Sequence, residues 1–133
     1  MVRDPEIEEM AKTRTHKNLP GVMLPEGIIY TADLEEAMKD KNLLVMAVPS
    51  VFVRSTAQKM KPFCKEGQLI VDVAKGIEES TLLTLSAQIE EEIPQADVAV
   101  LSGPSHAEEV GRKLPTTCVI GAKTKKTAEA EET

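Results

Sequence analysis

Apolar positions recur along this chain with two different spacings, and the changes between them mark out short elements that alternate in kind. Behind Asp4-Pro5-Glu6, a capping residue followed by proline at the first helical position and an acid in the first turn, Ile7, Met10 and Ala11 fall at helical spacing. Residues 18–27 carry Pro20-Gly21, Pro25 and Gly27 as breakers and read as a loop. Ile28-Ile29-Tyr30 reads as a short strand. Asp33 with Glu36 has the form of a capping box ahead of a short helix striped by Leu34, Ala37 and Met38. Residues 43–48 are a continuous apolar run ended by Pro49, the pattern of a strand buried on both faces. Val53, Ala57 and Met60 predict a helix before Pro62. Residues 69–74 predict a strand, and residues 81–92 a helix carrying Leu82, Leu85 and Ile89. A strand over 98–101, a short helix over 107–112 and a further strand over 116–120 follow. Residues 123–133, charged and rich in small side chains, read as a helix start or a frayed tail. Strands alternating with helices predict an α/β fold with a parallel sheet.

Composition narrows the function classes more than it changes this picture. The 133 residues suffice for one domain of modest core. Aromatics are 2% of the chain, so the core is aliphatic and methionine-filled, and no stacking platform for single-stranded nucleic acid is on offer. The net charge is −6, with no dense basic cluster, which excludes a nucleic-acid partner. No apolar stretch approaches a membrane span and no secretory signal precedes the first helix, so cytoplasm is the expected location. Cys64 and Cys118 fit no metal spacing and read as two free thiols in a reducing compartment; no metal site is expected.

Three of the strands end in small or polar residues: Val48-Pro49-Ser50, Ala74-Lys75-Gly76-Ile77-Glu78 and Leu101-Ser102-Gly103-Pro104-Ser105. Open α/β sheets bind ligands at the carboxyl ends of their strands, so these ends together describe a cofactor and substrate crevice. A dinucleotide fold normally opens with a strand, a G-x-G-x-x-G turn and a helix. This chain has seven glycines and none is spaced G-x-G. Met1-Val2-Arg3-Asp4-Pro5 reads instead as the end of a second strand running into a helix. The first strand of such a sheet is central. Residues 43–48 are therefore expected to present an unpaired apolar edge, covered by a second copy in a homodimer or closed by residues 28–30.

The segments that carry a family likeness are Leu19-Pro20-Gly21-Val22 with Leu24-Pro25, Thr31-Ala32-Asp33-Leu34-Glu35-Glu36-Ala37, Ala47-Val48-Pro49-Ser50, the Lys75-Gly76-Ile77-Glu78 and Ser102-Gly103-Pro104-Ser105 segments, and Leu114-Pro115-Thr116-Thr117. In order and spacing the chain resembles the bacterial NAD(P)-dependent glycerol-3-phosphate dehydrogenases, from Arg3 onward. The lysine and serine segments are the specific part. The resemblance implies an incomplete Rossmann-type doubly wound parallel sheet, with residues 1–133 forming part of a dinucleotide-binding domain. It implies interconversion of dihydroxyacetone phosphate and sn-glycerol 3-phosphate with NAD or NADP, for glycerophospholipid synthesis. It also implies that the chain is a fragment, inactive alone, because the family's helical C-terminal domain supplies the proton-accepting lysine.

Each residue singled out has a plain reading beside the functional one. The resemblance implies that Lys75 contacts the substrate and the nicotinamide end of the cofactor, stabilising charge on the reacting oxygen; otherwise it is a solvated lysine. Gly76 is a turn glycine with positive φ. Gly103 and Ser105 are implied to contact glycerol phosphate, and Ser105 also reads as the N-cap of the next helix. Ala107 is implied to lie against the cofactor, or packs as an ordinary helix residue. Val48, Pro49 and Ser50 are implied to border the adenosine and ribose side of the cofactor, or simply end a strand. Arg3 stands where a base accommodates the extra phosphate of NADP, with Asp4 beside it arguing for NAD. His16 reads as a surface residue, and His106, which stands where many relatives have Phe, has no partner that would make it a catalytic base. Two other readings stay open. One is a different Rossmann-type reductase of small oxo acids, against which the serine segment argues. The other is a non-catalytic module that recruits a partner through the exposed edge.

Overall fold

The computed structural model describes residues 4–124 together with Thr127 and Glu129. Arg3 and most of the 123–133 tail lie outside the described residues. The described residues include the helices α1 (Pro5–Thr13), α2 (Leu34–Met38), α3 (Val53–Met60), α4 (Leu85–Glu92) and α5 (Ala107–Gly111) and the strands β1 (Leu43–Met46), β2 (Leu69–Asp72), β3 (Asp97–Ser102) and β4 (Val119–Ala122). The strands form one sheet in the order β1-β2-β3-β4. The first three are parallel, in register Leu43, Leu69, Asp97.

The fourth strand departs from the expected parallel sheet: β4 runs antiparallel to β3, pairing Ser102 with Val119. The consequence is that residues 117–118, at the start of β4, lie beside the carboxyl end of β3.

The core sits on one face. Leu44, Met46, Ile70 and Val98 point from the sheet into a cluster with Val53, Ala57, Met60, Leu85, Ile89 and Ile93 of the helical layer. β1 therefore alternates exposed and buried rather than burying both faces as its sequence predicts. The opposite row runs Val45, Val71, Ala99, and burial falls off along it toward the edge: Ala99 is fully buried while Val45 is 59% exposed. Ile28-Ile29-Tyr30 forms no strand, and Ile29 is 79% exposed. Among the described residues no strand lies beside this segment to take up its backbone groups, so its β propensity goes unused.

Local capping is largely where the sequence puts it. The Asp4 side chain accepts from Glu6 N–H at 2.9 Å with Pro5 opening α1. Asp33 accepts from Glu35 and Glu36 N–H at 2.9 and 3.2 Å. The reciprocal half of that capping box is rearranged. Thr31 Oγ1 takes the Asp33 N–H at 3.0 Å, and Glu36 accepts from the Thr31 hydroxyl at 2.6 Å instead. The helix expected over 81–92 starts only at Leu85, with Thr84 Oγ1 accepting from Ala87 N–H at 3.3 Å. Leu82 adopts φ +58° and Ile77 bridges Thr84 antiparallel, so residues 77–84 form a closed loop instead of the first helical turn.

Candidate functional site

The carboxyl ends of β1, β2 and β3 lie side by side because the three strands are parallel and in register. The segments after them meet. A Cβ placed on Gly76 would lie 3.3 Å from Ser50 Cβ, so the post-β1 and post-β2 turns are in contact. Gly76 holds φ +130°, a conformation in which glycine alone is comfortable. Lys75, exposed, crosses to the post-β3 turn: its Nζ donates to the Gly103 carbonyl at 3.2 Å and to Ser105 Oγ at 3.4 Å. Ser105 N–H closes that turn on the same carbonyl at 2.8 Å.

Gly103 is fixed by space. A Cβ there would lie 2.4 Å from the Thr117 carbonyl oxygen and 3.2 Å from Cys118 Cα. Only glycine lets the β3 and β4 ends approach this closely. Thr117 and Cys118 at this end of the sheet were not readable as neighbours of the crevice, since strand periodicity carries no direction.

The other expected site residues divide. Val48 packs against the core, and Pro49, exposed, precedes a 3₁₀ turn. Ala107 opens α5 and is exposed. Ser105 does not cap α5. His106 holds the cap position with no side-chain bond, because Ser105 Oγ faces Lys75 and the Gly103 carbonyl instead. The described residues hold no group of three or more His, Cys, Asp or Glu side chains placed to share a metal ion.

Two acids near the strand ends have unusual surroundings. Asp72, the last residue of β2, is 2% exposed and shares the helix-covered side with Met46. Burial pushes its carboxyl above the usual range, only partly offset by the Ala74 N–H bond at 3.0 Å. A carboxyl raised in the folded state destabilises the fold once pH rises above its ordinary pKa, because the folded protein then resists losing the proton. Asp72→Asn is thus expected to raise Tm at pH 7, with the gain shrinking toward pH 3. Thermal melts across that range check it, and an unchanged or lower Tm at pH 7 would contradict it. Glu78, at the end of the Lys75 segment, behaves oppositely. The Arg54 guanidinium and the Thr81 hydroxyl hold its carboxyl down to about 2.

Comparison with known proteins bears on the same segments. Residues 1–128 match the family model described as NAD-dependent glycerol-3-phosphate dehydrogenase N-terminus. A glycerol-3-phosphate dehydrogenase [NAD(P)+] of Agathobacter rectalis is 64% identical over 125 residues, covering 93% of this chain and 37% of that protein. One from Fusobacterium nucleatum is 51% identical over 90% of this chain and 37% of its own length. The chain thus spans a little over a third of these relatives. Among solved structures, glycerol-3-phosphate dehydrogenase from Coxiella burnetii superposes with a TM-score of 0.86 at 25% identity, over 95% of this chain and 39% of that one. A pyrroline-5-carboxylate reductase from the same organism reaches 0.62 at 14% identity over 80% of this chain and 37% of its own, a likeness of fold alone.

Proposed function

The chain belongs to the NAD-dependent glycerol-3-phosphate dehydrogenase family, matching its N-terminal part, and from that premise we propose that it forms the cofactor- and substrate-facing half of an oxidoreductase. That enzyme interconverts dihydroxyacetone phosphate and sn-glycerol 3-phosphate with NAD or NADP in the cytoplasm, and its product supplies glycerophospholipid synthesis. The observation that supports it best is Lys75 Nζ lying 3.2 Å from the Gly103 carbonyl and 3.4 Å from Ser105 Oγ, across the ends of adjacent parallel strands.

The residues present fit one end of the cofactor. Lys75 and the Ser50 and Ser105 hydroxyls form a cationic, donor-rich set suited to a carboxamide oxygen, a substrate oxygen or a phosphate. The pyrophosphate has no such set here, because none of the seven glycines stands in a G-x-G turn. When bound, the nicotinamide supplies a hydride to the substrate carbonyl carbon. The Lys75 ammonium would stabilise the negative charge that gathers on the carbonyl oxygen, lowering the barrier. Its present partners are a carbonyl and a hydroxyl at long hydrogen-bond distance in an exposed place, so exchanging them for substrate oxygens costs little. Ser105, held by its own turn, supplies a hydroxyl to a phosphate oxygen. The reading as a reductase of small oxo acids rests on fold alone, since the pyrroline-5-carboxylate reductase likeness stops at 14% identity.

The test is a chimera in which this chain replaces the matching segment of the Agathobacter rectalis dehydrogenase. Oxidation of NADH and NADPH with dihydroxyacetone phosphate is expected within about tenfold of the parent, since the exchanged segments are 64% identical. A folded chimera without turnover would overturn the proposal. A polypeptide of these 133 residues alone is expected to show none, since it spans only 37% of that relative's length.

The isolated chain carries a further expectation. Among the described residues β1 is an edge strand, with Leu43 40% and Val45 59% exposed. Unpaired backbone groups beside exposed aliphatic side chains favour pairing with a second copy. Light scattering is expected to show a dimer that Val45→Lys converts to monomer; a wild-type monomer at high concentration would contradict this.

A further inference from the structure

Two ties follow Lys75 along the chain. At the first, Ser50 sits against Gly76. At the second, Glu78 accepts two hydrogen bonds from Arg54, Nε to Oε1 at 2.8 Å and Nη2 to Oε2 at 2.8 Å. Arg54 belongs to α3, the helix that follows Ser50. Both ties therefore join the post-β1 segment to the post-β2 segment, one just after Lys75 and one three residues beyond it.

The pair is bidentate and partly shielded, with the Arg54 side chain 25% and the Glu78 side chain 18% exposed. A fork of two parallel bonds fixes orientation as well as distance. The loop behind Glu78 is closed on itself: Glu78 N–H donates to the Leu83 carbonyl at 2.9 Å and Leu82 N–H to the Glu78 carbonyl at 2.8 Å, while the Thr81 hydroxyl bonds the same carboxylate. Arg54 Nη1 is used differently. It reaches Glu91 at 3.0 Å and Glu92 at 2.8 Å, both on α4. One guanidinium thus divides its donors between two roles. Nη1 holds α3 to α4, and the other nitrogens hold the Lys75 segment.

Resting on the function proposed above, we propose that Arg54 and Glu78 are positioning residues: their bidentate pair sets the reach of Lys75 toward the Gly103–Ser105 turn, making the first two strand ends one rigid wall of the site. Neither side chain touches the reacting atoms. Both act through the placement of the Lys75 ammonium.

Two measurements test this. In the chimera, Glu78→Gln is expected to lower kcat/KM for dihydroxyacetone phosphate about tenfold, mostly in kcat, since small misplacements of a reacting group are costly. Glu92→Gln, which removes a carboxylate charge from the same guanidinium, is expected to leave kinetics unchanged. In a Lys75→Ala background Glu78→Gln should lose its effect, because there is no ammonium left to place. An equal loss in both backgrounds, or a matching loss from Glu92→Gln, would overturn the proposal. In the 133-residue chain itself, ¹⁵N relaxation should show Gly76 less ordered in Glu78→Gln and unaltered in Glu92→Gln. Unaltered Gly76 in Glu78→Gln overturns the clamp even where turnover is measured. An inactive parent chimera, or a silent Lys75→Ala, strikes instead at the proposed function, and with it the role of the clamp.

Discussion

Lys75→Ala in the chimera is expected to lower kcat/KM for dihydroxyacetone phosphate by about 10²–10³ with no loss of Tm, the size seen when one donor to a developing oxyanion is removed. The two halves of that expectation come from different features of the same side chain. Lys75 is exposed, its only described bonds are at 3.2 and 3.4 Å, and it contributes nothing to the apolar core. Surface substitutions of this kind usually change stability by less than about 0.5 kcal/mol. Yet the ammonium is held over the junction of two strand ends, where the crevice is lined by hydroxyls and carbonyls and holds no other cation among the described residues that meet there. On the proposed function, removing it would leave charge on the substrate oxygen without a partner in the transition state. The loss should therefore appear in kcat more than in KM for the cofactor. Steady-state kinetics beside a thermal melt separate the two effects. Unchanged kinetics would reduce Lys75 to a surface residue, and a large drop in Tm would mean that its role is structural.

Gly103→Ala is expected to have the opposite profile, with stability lost first. The added methyl would stand 2.4 Å from the Thr117 carbonyl oxygen and 3.2 Å from Cys118 Cα, both backbone atoms of the neighbouring segment. Neither can turn aside as a flexible side chain would. Relief requires β4 to move away from β3, breaking the Ser102–Val119 end of the ladder. Overpacking of this kind costs about 3 kcal/mol, enough to shift Tm by several degrees per kcal/mol in a domain of this size. Gly121→Ala is the control. It lies on the same strand pair, opposite Val100, with open space where its methyl would go. It should leave Tm unchanged or slightly raised. Equal effects of the two substitutions would contradict the steric account. The same turn carries the Ser105 N–H bond to the Gly103 carbonyl, so Gly103→Ala should also weaken binding of glycerol 3-phosphate.

These two residues also show how far the sequence could be read. The apolar runs locate β1, β2 and β3, and the small polar residues after them identify the strand ends that meet. That much follows from hydrophobic pattern plus the rule that such sheets bind ligands at their carboxyl ends. Asp4 and Asp33 cap the helices they precede, because capping is local. What the sequence hides depends on distant partners or on direction. The antiparallel course of β4 is not encoded in alternation, so the close approach of Thr117 to Gly103 stays out of view. The start of α4 is displaced because residues 77–84 close into a loop through the Ile77–Thr84 bridge, with Leu82 at φ +58°. Ser105 has the residue type of an N-cap, but Lys75 and the Gly103 carbonyl claim its hydroxyl. Residues 28–30 have strand composition and no strand beside them among the described residues. In each case a tertiary contact, or the want of one, overrides a correct local preference.

Whether the ends of β1, β2 and β3 form one site in which Lys75 meets the substrate is decided by a crystal structure of the chimera with glycerol 3-phosphate. The ligand is expected at the junction of Ser50, Lys75 and Ser105, with Lys75 Nζ released from the Gly103 carbonyl and bonded to a substrate oxygen. Glycerol 3-phosphate bound elsewhere, with Lys75 still on the Gly103 carbonyl, would contradict it.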